Sequence, residues 1–193
     1  MLGRVIVVGG SIGGLLAANL LHRLGWEVDV FERARGDLSS RGAGLGTQPD
    51  LFRIFSRIGI TLDQSALAFV RSRICLSPDG RPLHELSIEA VTTSWDAIYR
   101  ALRCALPAER YHAGLDVCRI EPGISKARAI LSDGSHRTAD LIVAADGMQS
   151  TVRRQLFPAV APHFAGYVAW RAAAIEADIP VSFHELTFNH MVI

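Results

Sequence analysis

The spacing of apolar residues near the amino end changes from that of a strand to that of a helix and back again. Residues 4–8, RVIVV, are mostly β-branched and predict a strand buried on both faces, as in a parallel sheet. From Ile12 onwards the apolar residues recur at helical spacing, and Gly25 is expected to end that helix. A second strand, EVDVF at 27–31, then leads to Glu32. The pattern predicts a βαβ unit.

Later in the chain, Pro, Asp and Gly mark turns between alternating segments. Segment 72–87 is predicted to be a hairpin around Pro78-Asp79-Gly80, and segment 127–143 a hairpin around Asp133-Gly134. A helix is predicted from about Thr92 to Leu106.

The segment 139–158, ADLIVAADGMQSTVRRQLFP, combines three of these signals. LIVAA predicts another buried strand, and Asp146-Gly147 predicts a sharp turn. Ser150 is expected to cap a short helix that Pro158 ends.

Composition narrows the class of protein. The chain has 193 residues, 49% of them hydrophobic, which is enough to bury one sizeable core. A net charge of +1 without blocks of like charge argues against nucleic-acid or membrane-surface binding. Cys75, Cys104 and Cys118 lack paired spacing, so we expect small core residues in a reducing compartment. With neither a signal peptide nor a membrane span predicted, we expect a cytoplasmic protein.

The turn GGSIGG between the first strand and helix has the spacing of a dinucleotide-binding turn. Gly9 permits the tight turn, position 11 lets the backbone approach a pyrophosphate, and Gly14 lets the helix pack close to the strands. Ser11 replaces the middle glycine of G-x-G-x-x-G, and its hydroxyl can itself donate to phosphate. The candidate cofactor-binding residues of this turn are Gly9, Gly10, Ser11, Ile12, Gly13 and Gly14.

Glu32 strengthens this interpretation because of its position. It lies 23 positions after Gly9, at the end of the second strand, where a carboxylate can accept both hydroxyls of an adenosine ribose. A glycine turn without a ligand is the structural alternative. The strand before the turn, the helix after it and the acid at the next strand end favour adenine dinucleotide binding, and leave open which dinucleotide.

Taken together, these motifs resemble the FAD-dependent aromatic hydroxylases of the para-hydroxybenzoate hydroxylase fold. The residues that carry the resemblance are GGSIGG, FER at 31–33, RGAGLGTQPDLFRIFSRIGI at 41–60 and the Asp146-Gly147 segment. TTSWDAIYRAL and HFAGYVAWRAA make the chain most similar to the 2,6-dihydroxypyridine 3-monooxygenase branch. The resemblance implies an α/β fold: a Rossmann-like FAD-binding domain, as in glutathione reductase, with the start of a β-sheet substrate domain.

The resemblance also implies cofactor contacts and a reaction. Beyond the glycine turn and Glu32, it places Arg33, Arg41, Gln48, the backbone of Val117, and Asp146 at FAD, with Asp146 linked also to NAD(P)H. NAD(P)H would reduce the flavin, and a flavin hydroperoxide would hydroxylate a small electron-rich aromatic or pyridine ring with O₂. No catalytic side chain and no metal site is predicted, and a homodimer is compatible with this interpretation.

The sequence differs from the family at one position where a cofactor contact is expected. In the family, the helix that corresponds to residues from about Thr92 to Leu106 usually carries an arginine three residues before a leucine at the cofactor, and here Trp95 precedes Ile98 by three. Tyr99 or Arg103 would replace that contact, unless Arg103 is simply a solvated helix residue.

The resemblance divides the chain into two parts. It assigns residues 1–70 and 96–165 to the FAD-binding domain, and residues 71–95 and 166–193 to a partial substrate domain, to which a strand YVAWRAAA from Tyr167 would return. Family members are roughly twice as long, so the chain is expected to be incomplete.

Two other functions are weighed against this one. A short-chain NAD-dependent dehydrogenase needs Tyr-x-x-x-Lys, and no tyrosine here has a lysine four positions later. A non-catalytic dinucleotide-binding remnant would follow from the short length. His163, His184 and His190 are expected to be surface residues without metal-ligand spacing.

Overall fold

The structure is a computed structural model that describes residues 2–39, 43–168 and 174–193. The helices are α1 (Ile12–Arg23), α2 (Pro49–Ile58), α3 (Trp95–Ala105), α4 (Thr151–Leu156) and α5 (His184–Thr187). The strands are β1 (Arg4–Val8), β2 (Glu27–Glu32), β3 (Gly44–Gly46), β4 (Leu67–Leu76), β5 (Pro82–Ser94), β6 (Tyr111–Ala113), β7 (Val117–Glu121), β8 (Ala127–Leu131), β9 (His136–Ala139), β10 (Leu141–Ala144) and β11 (His190–Val192).

A four-stranded parallel sheet with the order β10-β1-β2-β6 forms the centre of the fold. Successive side chains of a strand point to opposite faces. Val5 and Val7 of β1 therefore pack with α1 and α3 on one face, while Ile6 and Val8 pack with β7, β8 and β9 on the other. All four side chains are buried, as the apolar run predicts for a central strand.

The predicted βαβ unit is present, and α1 is fixed to α3 by a buried polar contact. Asn19 is 3% exposed, and its side-chain amide donates to the carbonyl oxygens of Leu15 (2.8 Å) and Leu102 (3.0 Å). Since both donors of the amide are used, this polar side chain is accommodated inside an apolar contact between helices.

Both predicted hairpins are present, and each belongs to a different sheet. The hairpin of β8 and β9 continues from β7 in a three-stranded antiparallel sheet that covers one face of the parallel sheet. The hairpin of β4 and β5 forms a separate sheet with the order β11-β4-β5-β3.

Two expectations about secondary structure are wrong. The helix predicted from Thr92 begins at Trp95, because Thr92 and Thr93 continue β5 and pair with Ala68 and Leu67 of β4. The strand β10 lies at the edge of the parallel sheet and is only partly buried, with Leu141 38% exposed.

The cysteines also depart from the expected core positions. Cys104 and Cys118 are exposed and Cys75 is half-buried, and all three are free thiols. Cys104 lies off the buried face of α3 that Ile98 and Leu102 form. The predicted strand from Tyr167 falls largely on residues 169–173, outside the described residues.

Candidate functional site

A cavity of about 430 Å³ opens at the carboxyl ends of β1, β2 and β10. The chain leaves β1 to reach β2 on one side, while β10 pairs with β1 on the other, so the cavity lies where the strand order reverses. Its walls come from five separate stretches of the sequence. The lining residues are Val8, Gly9, Ser11, Phe31, Glu32, Arg33, Leu38, Trp95, Asp116, Ala145, Asp146, Gly147, Met148, Gln149 and Thr151.

Two glycines of the turn after β1 are required by close packing. Gly9 has φ +100°, and a Cβ at this position would collide with the carbonyl oxygen of Ala145. A Cβ at Gly14 would collide with the carbonyl oxygen of Gly9. Gly13, by contrast, is exposed and has free space around a Cβ. The turn therefore packs against the residues that follow β10 and against the first turn of α1.

The amino end of α1 carries no compensating side chain. Ser11 is its N-cap but makes no side-chain capping hydrogen bond, and the first turn contains no acidic residue. The helix α3 differs, because Ser94 caps it by accepting from Ala97 N and Asp96 lies in its first turn. The unpaired N–H groups and positive dipole end of α1 thus remain available to an anion at the cavity edge.

Glu32 lies beside this helix end and is 8% exposed. Its Oε2 accepts from Gly10 N at 2.7 Å, and its Oε1 accepts from Ala34 N at 2.9 Å. These two bonds stabilise the buried charge. A carboxylate has about four acceptor positions, so each oxygen of Glu32 keeps capacity for a further donor such as a ribose hydroxyl.

The remaining sequence-predicted residues divide by location. Arg33 lines the cavity and is exposed. Gln48 is the exposed N-cap of α2, and Val117 is buried in the core, so neither side chain lines the cavity. Asp116, the residue before Val117, does line it. Arg41 lies outside the described residues.

Asp146 lines the cavity, and its carboxylate caps α4. Oδ1 accepts from Ser150 Oγ at 2.6 Å, and Oδ2 accepts from Thr151 N at 2.7 Å and from Val152 N at 3.2 Å. Ser150 Oγ in turn accepts from Arg153 N at 2.9 Å, so Ser150 is the N-cap that the sequence predicts. Asp146 therefore builds the cavity wall by fixing the segment that follows β10.

The α3 residues do not all reach the cavity. Trp95 lines it and stacks on Tyr99, with ring centres 5.0 Å apart. Tyr99 and Arg103 face a neighbouring cavity instead, and the Arg103 guanidinium lies 4.4 Å from the ring centre of Tyr111. Neither Tyr99 nor Arg103 therefore replaces the missing arginine at the cofactor cavity, and that expectation is wrong. The alternative, that Arg103 is simply a solvated helix residue, is also wrong, because its guanidinium packs on the Tyr111 ring.

Sequence reasoning missed three residues of this region. Leu38 and Asp116 line the cavity, and Tyr111 lies directly behind the glycine turn. Asp116 comes directly before the strand DVCRI that the sequence predicts, but no local pattern marks it as a cavity residue. No local pattern indicates Tyr111.

The three histidines near the carboxyl end of the chain differ in exposure. His163 is exposed as expected, whereas His184 and His190 are half-buried. His190 Nδ1 lies 2.7 Å from Ser72 Oγ because β11 pairs with β4, which brings these two residues together. Residues 2–39, 43–168 and 174–193 contain no group of three His, Cys, Asp or Glu side chains that could hold a metal ion. The same ranges include no helix with the length and apolar character needed to span a bilayer.

Comparison with known proteins agrees with this geometry. Residues 3–97 match the family described as FAD binding domain. The chain is 34% identical over 176 residues to 2,6-dihydroxypyridine 3-monooxygenase from Paenarthrobacter nicotinovorans, covering 91% of this chain and 44% of that protein. The solved structure of 2,6-dihydroxypyridine-3-hydroxylase from Arthrobacter nicotinovorans superposes with a TM-score of 0.77 and 33% identity, covering 86% of this chain and 42% of that one. The chain is related to the FAD-dependent aromatic hydroxylases.

The hydroxylase relationship is supported by a second relative. The chain is 32% identical over 195 residues to 3-amino-4-hydroxybenzoate 2-monooxygenase from Streptomyces cremeus, covering 94% of this chain and 48% of that protein. The predicted Rossmann-like α/β fold is confirmed, as is the resemblance to the FAD-dependent aromatic hydroxylases. The chain spans about half the length of the curated relatives it matches.

Proposed function

We propose that the cavity at the carboxyl ends of β1, β2 and β10 binds the ADP half of FAD. The observation that carries this proposal is the pairing of an uncapped, acid-free amino end of α1 with the buried carboxylate of Glu32. The pyrophosphate would lie at the helix end and the adenosine ribose at Glu32.

The described residues fit such a group in shape and in charge. Gly9 and Gly14 keep the backbone of the turn close-packed, as a bound pyrophosphate requires. Two of the three carboxylates that line the cavity, Glu32 and Asp146, already accept hydrogen bonds from the protein, which reduces their repulsion of phosphate. The proposed cofactor contacts are Gly9, Gly10, Ser11, Ile12, Gly13, Gly14, Glu32, Arg33, Arg41, Gln48, the backbone of Val117, and Asp146.

We further propose that the whole protein is an NAD(P)H-dependent monooxygenase of a small, electron-rich ring. FAD supplies the redox chemistry that allows NAD(P)H and O₂ to be used for hydroxylation. The residues of this chain would bind and orient the cofactor, and the apolar side chains of Leu38 and Trp95 would keep water from that part of the cavity. The names of both relatives specify a hydroxylated pyridine or benzoate, which supports a hydroxypyridine or hydroxylated aromatic substrate.

The domain division belongs to the same proposal. The sheet of β3, β4, β5 and β11 would begin the substrate domain, and the parallel sheet with its covering layers would be the FAD-binding domain. The strand bounds differ from the predicted limits, because β4 starts at Leu67 and the short strand β3 also joins this sheet. The three free thiols support a reducing, cytoplasmic location.

Equilibrium titration of the purified chain with FAD tests the binding proposal. Replacing Glu32 with Gln should weaken FAD binding by roughly tenfold or more, because hydrogen bonds to a charged group contribute about 1.5–3 kcal/mol. Glu109→Gln, at an exposed position outside the cavity, is the matched control. Equal dissociation constants for wild type and Glu32→Gln, or a wild-type chain that does not bind FAD, would contradict the proposal.

A further inference from the structure

Gly10 is held from two sides by side chains that lie far away in the sequence. Its N–H donates to Oε2 of Glu32 at 2.7 Å, and its carbonyl oxygen accepts from the hydroxyl of Tyr111 at 3.2 Å. Tyr111 is positioned for this contact by β6, whose first residue pairs with Val30 of β2. The glycine turn is thus connected to the next two strands of the parallel sheet by side-chain hydrogen bonds.

The Tyr111 ring fits closely against the turn and is itself supported. A Cβ at Gly10 would collide with the ring, so this approach requires glycine. On the ring, the Arg103 guanidinium lies 4.4 Å from the centroid, within the range of a cation–π interaction. Arg103 Nη1 also donates to the Leu106 carbonyl oxygen at 3.4 Å, which fixes the guanidinium at the end of α3.

The hydroxyl of Tyr111 stays protonated. Burial raises the pKa of Tyr111 far above its usual range. The hydroxyl therefore remains a donor to the Gly10 carbonyl throughout the neutral and moderately alkaline range.

This contact has a consequence for the next peptide N–H. In a trans peptide, the carbonyl and the following N–H point in opposite directions. Since the Gly10 carbonyl points to Tyr111, the N–H of Ser11 points away from Tyr111, and Ser11 lines the cavity. Holding the carbonyl therefore also holds the orientation of an N–H donor at the amino end of α1.

We propose that Tyr111 is a positioning residue for dinucleotide binding, which acts through Gly10 on the Ser11 N–H and on Glu32. This inference rests on the proposed FAD site. Tyr111 does not line the cavity, so it contributes by preorganising the donors that meet the pyrophosphate and not by contact with the ligand.

The test compares Tyr111→Phe with the wild-type chain, using FAD and ADP as separate probes in calorimetric titrations. ADP carries the ribose and pyrophosphate without the flavin, so loss of preorganisation should weaken both ligands by the same factor, about fivefold for one hydrogen bond. In ¹H–¹⁵N spectra, the shift of the Ser11 amide on adding ADP should become smaller in Tyr111→Phe. Tyr167→Phe, at an exposed position, is the matched control.

A second variant separates positioning from general stability. Arg103→Leu removes the cation over the ring and keeps the hydroxyl, so it should lower the unfolding temperature while ADP affinity changes by less than about twofold. All titrations are made well below each variant's unfolding temperature.

Three results would overturn the inference: unchanged ADP affinity in Tyr111→Phe, an affinity loss in both variants that follows their loss of stability, or a Tyr111→Phe chain that does not fold. A wild-type chain that binds neither FAD nor ADP would instead refute the proposed function itself.

Discussion

Asp146→Asn tests how the Asp146-Gly147 segment acts in the cavity wall. Both carboxylate oxygens of Asp146 accept hydrogen bonds, Oδ1 from Ser150 Oγ and Oδ2 from two backbone N–H groups of α4. An asparagine offers one oxygen and no charge. Its oxygen can accept from the backbone N–H groups at the helix end, but its NH₂ group can only donate to Ser150 Oγ, so the bond to Ser150 is reversed and the charge is lost.

The expected loss follows from these contacts. Bonds to a charged acceptor contribute about 1 kcal/mol more than neutral ones, and a lost helix cap costs about 0.5–2 kcal/mol. Because Asp146 is half-buried and partly screened by solvent, we expect the free energy of unfolding to fall by about 1–2 kcal/mol. For a chain of this size, that change corresponds to a decrease of about 3–6 °C in unfolding temperature.

The turn at Asp133-Gly134 provides a matched control. Asp133 is exposed, and a single oxygen, Oδ1, accepts from both the N–H (2.9 Å) and the hydroxyl (2.7 Å) of Ser135. An asparagine can satisfy both donors, so Asp133→Asn should change the free energy of unfolding by less than about 0.5 kcal/mol. Circular dichroism during thermal and urea unfolding measures both variants.

Two outcomes would refute this reasoning. If Asp146→Asn destabilises the chain no more than Asp133→Asn does, the carboxylate is not the cap of α4 that the contacts describe. If it leaves stability unchanged but weakens FAD binding tenfold or more, the carboxylate acts on the cofactor and not on the helix.

Two further predictions concern packing and pH. Gly14→Ala should lower the unfolding temperature and abolish measurable FAD binding, because its Cβ would collide with the Gly9 carbonyl oxygen. Gly13→Ala is the control: a Cβ there has free space, so the unfolding temperature should not fall. An equal effect of the two substitutions would contradict the packing argument. The hydrogen bond from Arg110 lowers the pKa of Glu27 below its usual 4.5, so its contribution is present above that pH and is lost as the pH falls through the lowered pKa. Glu27→Gln should therefore lose less stability than wild type between about pH 5 and pH 3, and parallel pH profiles would show that this ion pair contributes nothing.

The sequence predicts the elements whose signals are local. The apolar run before Gly9 and the helical spacing after Ile12 are patterns within single elements, and both elements form as predicted. The turns at Gly80 and Gly134 have φ values of +82°, which glycine adopts easily, and both hairpins form there. The Ser150 cap was likewise predictable from its position before a short helix.

The sequence does not predict features that depend on distant partners. The threonines before Trp95 have neighbours in β4, and this pairing extends β5 and delays α3. The cavity wall combines Leu38, Trp95 and Asp116, which no spacing rule relates. No sequence pattern around Tyr111 marks it as a site residue. It contacts the glycine turn only because β6 lies beside β2.

The central strand β1 also sets an order for folding. Its partner β2 follows after one helix, whereas β10 comes more than a hundred residues later, and Arg4 N and the Asp140 carboxylate that it meets at 2.8 Å are separated by 136 positions. Closing such a long loop costs more entropy than closing a short one, and contacts between distant residues slow folding. We therefore expect β1, α1 and β2 to associate first during folding. The other edge of β1 stays unpaired until β10 joins the sheet. A chain emerging from the ribosome would leave the backbone N–H and C=O groups of that edge unpaired until β10 has been synthesised, and an unpaired strand edge of this kind favours aggregation.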